Sequence, residues 1–291
     1  MIGDDIIYEY PKCDRLVIIG DIHGDIKRLK NILIQAKIIN NNIEWIAEPP
    51  NTVIVQMGDQ VDSLNRDCGD AVNIINDWEI LEDVEVIYFT NLIDKIAQTK
   101  GGRFISIIGN HEFMNVIGNY SYVSSKSMNN DENRRGDLFK PRGTLSPILS
   151  KRPIVLKIDD LLFCHAGLTS GHVDILKKYN KDIPYINKIW KNFVLYGKVL
   201  LEDKEIFDNI LLDNEGILWT RNLDDSDKAK KMLSDINCTF MFVGHTVMDK
   251  IKIHEKTIWY TDTGISRAFG KKEYQYMEII NNNIYVRDVD G

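Results

Sequence analysis

The chain has 291 residues, 44% of them hydrophobic and 27% charged, and 43 acidic against 36 basic side chains leave a net charge of −7. That balance excludes a broad nucleic-acid-binding surface, which needs clustered Lys and Arg, and no run of about 18 apolar residues offers a membrane span. Cys13, Cys68, Cys164 and Cys238 are widely spaced with no Cys-x-x-Cys pair, so reduced thiols are expected rather than a zinc knuckle or a disulfide framework. Met1–Asp5 lacks the basic and apolar regions of a signal peptide, and the expectation is a soluble, cytoplasmic protein. No Pro-, Gly- or Ser-rich linker divides the chain, which is long enough to bury one large core and reads as one domain over residues 1–291.

In chain order, the apolar run Leu16–Ile19 predicts a strand, followed by a helix from Asp25 to Ile34, a second strand at Val53–Met57, helical stretches at Cys68–Trp78 and Leu81–Thr99, and a third strand at Phe104–Ile108. This alternation predicts βαβ units and a largely parallel sheet. Residues 124–143 are polar, with Asn129-Asn130-Asp131-Glu132-Asn133-Arg134-Arg135 at their centre, and read as a surface loop that could act as a lid and bring Arg134 or Arg135 to a ligand. Ile154–Ile158 and Leu161–Cys164 flank Asp159-Asp160 as a hairpin. The stretch 170–235 reads as a helical insertion charged on one face. Phe240–Val243 is a further strand, and Ile251–His254, Ile258–Tyr260, Tyr274–Ile280 and Ile284–Arg287 predict an antiparallel meander. There is no internal repeat.

Five motifs stand at the ends of apolar runs: Gly20-Asp21-Ile22-His23-Gly24, Gly58-Asp59-Gln60-Val61-Asp62, Gly109-Asn110-His111-Glu112, Cys164-His165-Ala166-Gly167-Leu168 and Val243-Gly244-His245-Thr246. Any one of them is common in ordinary turns. Together they place six metal-compatible side chains, Asp21, His23, Asp59, Asn110, His165 and His245, at strand ends, where open α/β sheets gather their sites. Oxygen and imidazole donors suit Mn, Fe or Zn, and a carboxylate such as Asp59 can bridge two ions. The composite is that of a two-metal hydrolase.

The series resembles the calcineurin-type metallophosphoesterases, and within them the phosphoprotein phosphatases. Gly101-Gly102-Arg103, the run Gly109-Asn110-His111-Glu112-Phe113-Met114-Asn115 leading to Tyr122-Val123, and Leu218-Trp219-Thr220-Arg221 are similar to the Shewanella-like phosphatase branch. The resemblance implies an α/β fold of two facing mixed β-sheets flanked by helices, the αββα sandwich. It implies two divalent or trivalent metal ions, the first held by Asp21, His23 and Asp59 and the second by Asp59, Asn110, His165 and His245. It also implies His111 as general acid, oriented by Asp62, and Arg221 as the phosphate clamp; Glu112 is the alternative acid, with support through a local hydrogen bond as its preferred reading. Where the family has Arg after the second motif, this chain has Ser63, so Arg66 is the candidate replacement, with Arg142 a further substrate-binding candidate. Tyr260 and Asp262 resemble the family's closing segment beside the site. Cys164 reads as a small buried residue, and His172 and His254 as structural or surface residues. The implied activity is metal-dependent hydrolysis of phosphomonoesters, on a phosphorylated protein (Ser/Thr or Tyr) or a small phosphoester, through a metal-bridging hydroxide. The rival readings are a nucleotide or dinucleoside polyphosphate hydrolase, which the same ligands would serve, and a catalytically silent phosphoprotein-binding scaffold, for which His111 and Asp62 would have no use.

Overall fold

The computed structural model of the chain describes residues 6–63, 82–128 and 131–289. Strand β1 (Glu9–Tyr10) is followed by β2 (Arg15–Ile19), helix α1 (Ile26–Gln35), β3 (Val53–Gln56), α2 (Glu85–Gln98) and β4 (Arg103–Ser106). Strands β2, β3 and β4 are mutually parallel, as the alternation of strand and helix predicts. Asp25 caps α1 by accepting the amide of Arg28 at 3.1 Å, so the helix begins one residue after the expected position. The expected helix at Cys68–Trp78 lies outside the described residues.

After α3 (Asn110–Val116), the polar stretch expected as a loop folds into helices α4 (Ser125–Met128) and α5 (Glu132–Phe139). This corrects the reading of 124–143 as an open loop. The cause is tertiary: α5 buries Arg135 and Phe139 completely, and the guanidinium lies 4.9 Å over the Phe139 ring. Helix α6 (Ser146–Leu149) leads into the hairpin of β5 (Val155–Ile158) and β6 (Leu161–Cys164), whose turn places Asp159 at a φ of 54°. The 170–235 stretch is helical, with α7 (Ser170–Lys178), α8 (Pro184–Tyr196), a π-helical turn at Phe207–Leu212 and a helix at Ser226–Asp235.

The remaining strands are β7 (Phe240–Val243), β8 (Lys252–His254), β9 (Ile258–Tyr260), β10 (Tyr274–Ile280) and β11 (Asn283–Val289). They do not form one meander. β8 and β9 extend a sheet of order β1-β5-β6-β7-β9-β8, whereas β10 and β11 complete a second sheet, β11-β10-β2-β3-β4, with β10 antiparallel to β2. The link from β9 to β10 therefore crosses from one sheet to the other. A buried Arg15–Glu278 ion pair, with Nη2 at 2.5 Å from Oε1, lies along the β2–β10 seam.

The sheets pack face to face and carry helices outside. Leu16, Ile18, Val53 and Val55 meet Leu156, Phe163, Phe242 and Met277 in the inter-sheet core, where Phe163 stacks on Phe242 at 4.9 Å. The alternate residues Val17, Ile19 and Ile54 pack beneath Leu29, Ile32, Phe89 and Ile93 of α1 and α2. On the far side, Val155, Leu162 and Met241 contribute to the core that contains Ile186 and Trp190 of α8. Coverage of both faces explains why the strands read as unbroken apolar runs.

Helix α8 is pinned to β5 by buried Asn187, whose Oδ1 accepts the amides of Ile154 (2.8 Å) and Val155 (3.0 Å) while Nδ2 donates to the carbonyl of Val155 (2.7 Å). Asn187→Leu leaves these backbone groups without partners. The expected loss is about 1–3 kcal/mol for each unsatisfied group that water does not reach, read as a lower urea midpoint at unchanged slope; an unchanged midpoint would show that α8 is held by its apolar face alone.

Candidate metal centre

Each of the six sequence-selected ligands follows the carboxyl end of a strand: Asp21 and His23 after β2, Asp59 after β3, Asn110 after β4, His165 after β6 and His245 after β7. The loops are stitched to one another. The amides of Ile22 and His23 donate to the carbonyl of Asp59 at 3.0 and 2.9 Å, and the Gly244 amide donates to that of His165 at 2.8 Å. His23, Asp59, Asp62 and His245 all adopt positive φ, between 43° and 66°. Four non-glycine residues in this sparsely populated region mark a backbone held in place by its surroundings. Two glycines permit the approach of the carboxylates: a Cβ on Gly109 would lie 2.2 Å from Asp59 Oδ1, and one on Gly244 would lie 2.3 Å from Asp21 Oδ1.

The site has two lobes that share Asp59. His23, Asp59 and His111 converge on one side, and Asp59, His165 and His245 on the other, with each triad's ligand atoms within 4.8 Å of one another. His165 Nε2 lies 3.2 Å from Asp59 Oδ2 and 2.9 Å from Asn110 Oδ1, so Asn110 belongs to the second lobe. Its Oδ1 is also 3.0 Å from His245 Nδ1. Asp21 Oδ2 accepts the His245 amide at 2.9 Å, while Oδ1 is buried without a partner.

Backbone carbonyls set the imidazole tautomers. His165 Nδ1–H donates to Met57 O (2.7 Å), His245 Nε2–H to Trp219 O (3.0 Å), and His23 Nδ1–H is shared between the carbonyls of Val61 (3.2 Å) and Asp62 (3.1 Å). Each ring thereby turns its other nitrogen into the centre, the usual arrangement of metal-ligating histidines, and the Asp59 carboxylate raises the His165 pKa against the effect of burial. Trp219, from the Trp-Thr-Arg stretch, thus meets the site through its carbonyl. Its indole in turn donates to Leu211 O at 2.9 Å, tying His245 to the π-helical turn.

The electrostatics favour cations. Burial opposes ionisation of Asp59, yet His165, His111 and His23 hold its carboxyl well below the usual carboxylate range. Asp21 is held well above it, by burial and then by Asp262 and Asp59, and Asp262 itself is pushed up to about 6, chiefly by burial. An unpartnered carboxylate oxygen, crowded carboxyls and imidazoles that each turn one nitrogen inward are a donor set that two divalent ions fit.

His111 occupies the first lobe but is bound differently. Its Nδ1 lies 2.9 Å from Asp62 Oδ2 and its Nε2 is 3.8 Å from Asp59 Oδ2. Burial disfavours the imidazolium, but Asp59 and Asp62 outweigh it and raise the His111 pKa to about 9. The ring packs edge-on against His23 at 4.8 Å and Tyr122 at 5.0 Å, while Phe269 flanks His23 at 5.6 Å.

Around this pair lies a buried network that sequence reading missed. Asn115 Nδ2 donates to both oxygens of Asp62 (3.0 and 2.9 Å), and the Asp62 amide donates to Asp83 Oδ2 (2.8 Å). Arg135 bridges Asp62 (Nη2, 2.9 Å), both oxygens of Asp83 (3.0 Å) and Asn115 Oδ1 (2.7 Å). Arg135 therefore faces inward as an anchor, and the expectation that it approaches a ligand is corrected. Asn115 could have been found from its spacing, because position i+4 from His111 on a helix shares its face. Asp83 sits among other acidic residues and carried no such signal. Glu112 accepts the amides of Asp59, Gln60, Val61 and Gly109 at 2.7–3.3 Å, the supporting role expected of it.

The candidate clamps separate. Arg221 is exposed, yet close enough to His245 that its charge contributes to lowering that imidazole, behind the larger effects of burial and His165. Arg142 is exposed, with a φ of 66°, and bonds none of the ligand residues. Arg66 lies outside the described residues, and Ser63 is buried with its hydroxyl unpartnered. Cys164 is buried, which pushes its thiol up to about 12. His172 is buried against the Glu215 carbonyl (2.8 Å), while His254 is exposed.

Asp59→Asn should lower metal content, because an amide cannot present two anionic oxygens to two ions; undiminished metal at unchanged affinity, measured by elemental analysis during chelator titration, would refute the sharing of Asp59. Arg135→Met strands two buried carboxylates and should cost about 3–5 kcal/mol in denaturant titration. A loss below about 1 kcal/mol would show that the network stabilises no more than a surface pair does.

The calcineurin-like phosphoesterase family model matches residues 14–249, which include all six ligand positions. The chain is 29% identical over 297 aligned positions to Shewanella-like protein phosphatase 1 of Plasmodium berghei, covering 93% of this chain and 73% of that protein. It is 23% identical to Shewanella-like protein phosphatase 2 of Arabidopsis thaliana, covering 60% of this chain and 52% of that one. A cold-active protein-tyrosine phosphatase of a psychrophilic Shewanella species superposes with a TM-score of 0.78 at 21% identity, over 98% of this chain and 83% of its own, a likeness of fold. With the family match spanning every strand end that carries a ligand, the chain belongs to the calcineurin-like phosphoesterases, and it is a hydrolase with Shewanella-like phosphatase relatives.

Proposed function

We propose that the chain is a metal-dependent phosphoprotein phosphatase that hydrolyses phosphomonoesters of Ser/Thr or Tyr residues. The observation that carries this reading is the buried His111–Asp62 pair beside the shared carboxylate of Asp59, a general acid built next to a two-lobed cation site. Asp21, His23 and Asp59 would hold one ion, and Asp59, Asn110, His165 and His245 the other. Bound there, the two ions would supply Lewis acidity toward the phosphoryl oxygens and a nucleophile at neutral pH.

The chain's own residues do the rest. Asp62 accepts from His111 Nδ1, so the proton on Nε2 faces the centre and serves the leaving alkoxide or phenoxide. Asn115 and Arg135 prevent Asp62 from turning away. Arg221, beside His245, is the guanidinium proposed to hold a phosphoryl oxygen, for which its fork suits it. Tyr122, 44% exposed and edge-on to His111, forms a rim on which a substrate side chain can rest. Support for a protein substrate comes from the relatives, which are protein phosphatases, and from the net negative charge of the chain, which does not favour a ligand with several phosphate groups.

The test combines a substrate panel with one variant. Metal-loaded protein is expected to turn over phosphopeptides in preference to dinucleoside polyphosphates; the reverse preference overturns the reading. His111→Asn should keep its metal and lower turnover of a phosphoserine peptide about 10²–10⁴-fold. The loss should be smaller for an activated aryl phosphate, whose leaving group needs no proton. Equal losses on both substrates would remove His111 from the acid role.

A further inference from the structure

A second cationic feature lies away from the metal ligands. Helix α2, the open edge of β4 and the loop after α6 enclose a cavity of about 510 Å³, lined among others by Thr90, Asn91, Lys95, Ser106 and Arg152. Its size falls within the roughly 300–1,000 Å³ of small-molecule sites. β4 is an edge strand. The amides of Arg103 and Ile107 point inward to β3, so the alternation turns those of Phe104 and Ser106 to the open edge.

Arg152 is the residue that needs explaining. It is 6% exposed, and its guanidinium donates to Gln60 Oε1, Ile87 O (3.0 Å) and Thr90 Oγ1 (2.9 Å), all neutral acceptors. Among the described residues no carboxylate pairs with it, and its Nε–H has no partner. Asp94, the one acid on the cavity wall, is committed to Arg103 at 2.9 Å and to the Phe104 amide at 2.8 Å. Burial pushes the Arg152 pKa down to about 10, while the charges of Glu112 and Asp94, neither hydrogen-bonded to it, act in the opposite direction. Buried charges are normally paired, since an isolated one is costly. On the same wall, Ser106 is 5% exposed and its hydroxyl has no hydrogen-bond partner. An unpaired guanidinium and a spare hydroxyl facing one cavity are complementary to an oxyanion.

We infer that this cavity is a second, non-catalytic oxyanion site, which takes the phosphoryl or carboxylate group of a small acidic ligand on Arg152, with Ser106 as a further donor. Arg152 reaches the metal loops only indirectly: it bonds the Gln60 side chain, and the Gln60 amide shares Glu112 with the amide of Asp59. Occupancy of the cavity is therefore separable from phosphate binding at the metal centre.

Binding of inorganic phosphate and of succinate is followed by calorimetry and thermal shift on the metal-loaded protein, on Asp59→Asn and on Arg152→Lys. A saturable site for at least one probe is expected to survive in Asp59→Asn and to weaken about tenfold or more in Arg152→Lys, because an ammonium does not replace the guanidinium fork. Response to phosphate alone assigns a phosphoryl ligand, and response to succinate assigns a carboxylate. Should Arg152→Lys not fold, Ser106→Ala, which removes only an unpartnered hydroxyl, is expected to bind about threefold more weakly, the loss of a modest neutral hydrogen bond. Loss of all probe binding in Asp59→Asn, or wild-type affinity in Arg152→Lys or Ser106→Ala, overturns the inference. Because the readout is binding rather than turnover, these outcomes are independent of the phosphatase reading.

Discussion

The structure is organised around one buried carboxylate. Asp59 lies where burial alone would neutralise it, and it stays ionised because the rings of His23, His111 and His165 surround it and the His111 amide donates to it at 2.9 Å. Those partners come from three separate loops, so the carboxylate can be satisfied only when β2, β3, β4 and β6 end at the same level. Glu112 fixes that level. By accepting the amides of Asp59 and Gly109, it holds the loops after β3 and β4 together, and the glycine at 109 lets them approach more closely than any side chain would allow.

The surrounding charges extend this arrangement outward. Asp62 orients His111, and it is held by Asn115 and by Arg135, which also neutralises Asp83. The same guanidinium thus ties the His111–Asp62 pair to α5 and to the residues just before α2. Such a network owes its strength to being fully bonded in a low-dielectric interior, where any missing partner leaves a charge exposed to protein rather than to water. Stability and the orientation of the proposed general acid consequently rest on the same side chains. The contrast with Arg152 is physical: Arg135 is surrounded by two carboxylates and an amide, whereas Arg152, also buried, donates only to neutral oxygens.

The two sheets divide the candidate ligands between them. Asp21, His23, Asp59 and Asn110 leave strands of one sheet, and His165 and His245 leave strands of the other. The inter-sheet core, with Phe163 stacked on Phe242 one residue before each of those strands ends, sets the distance across which the two groups meet. Close packing of this layer is what turns six separate loop residues into one centre.

Sequence by itself determined which side chains gather at the candidate metal centre, the pairing of His111 with Asp62 and most strands. Asp21, His23, Asp59, Asn110, His165 and His245 were legible because each follows an apolar run, and such a run has few ways to be buried on both faces except as a strand of a covered sheet. Asn115 was within reach through helical spacing. Tertiary structure alone decided the inward turn of Arg135, its pairing with Asp83, the isolation of Arg152 and the division of the last four strands between the two sheets. None of these has a local signature: Arg135 and Asp83 are 52 positions apart, and a polar helix reads as a surface loop until its one buried charge is matched. The left-handed backbones at His23, Asp59, Asp62 and His245 belong to the same class. Local preference disfavours them, and only the bonds made across loops from different strands hold them in place.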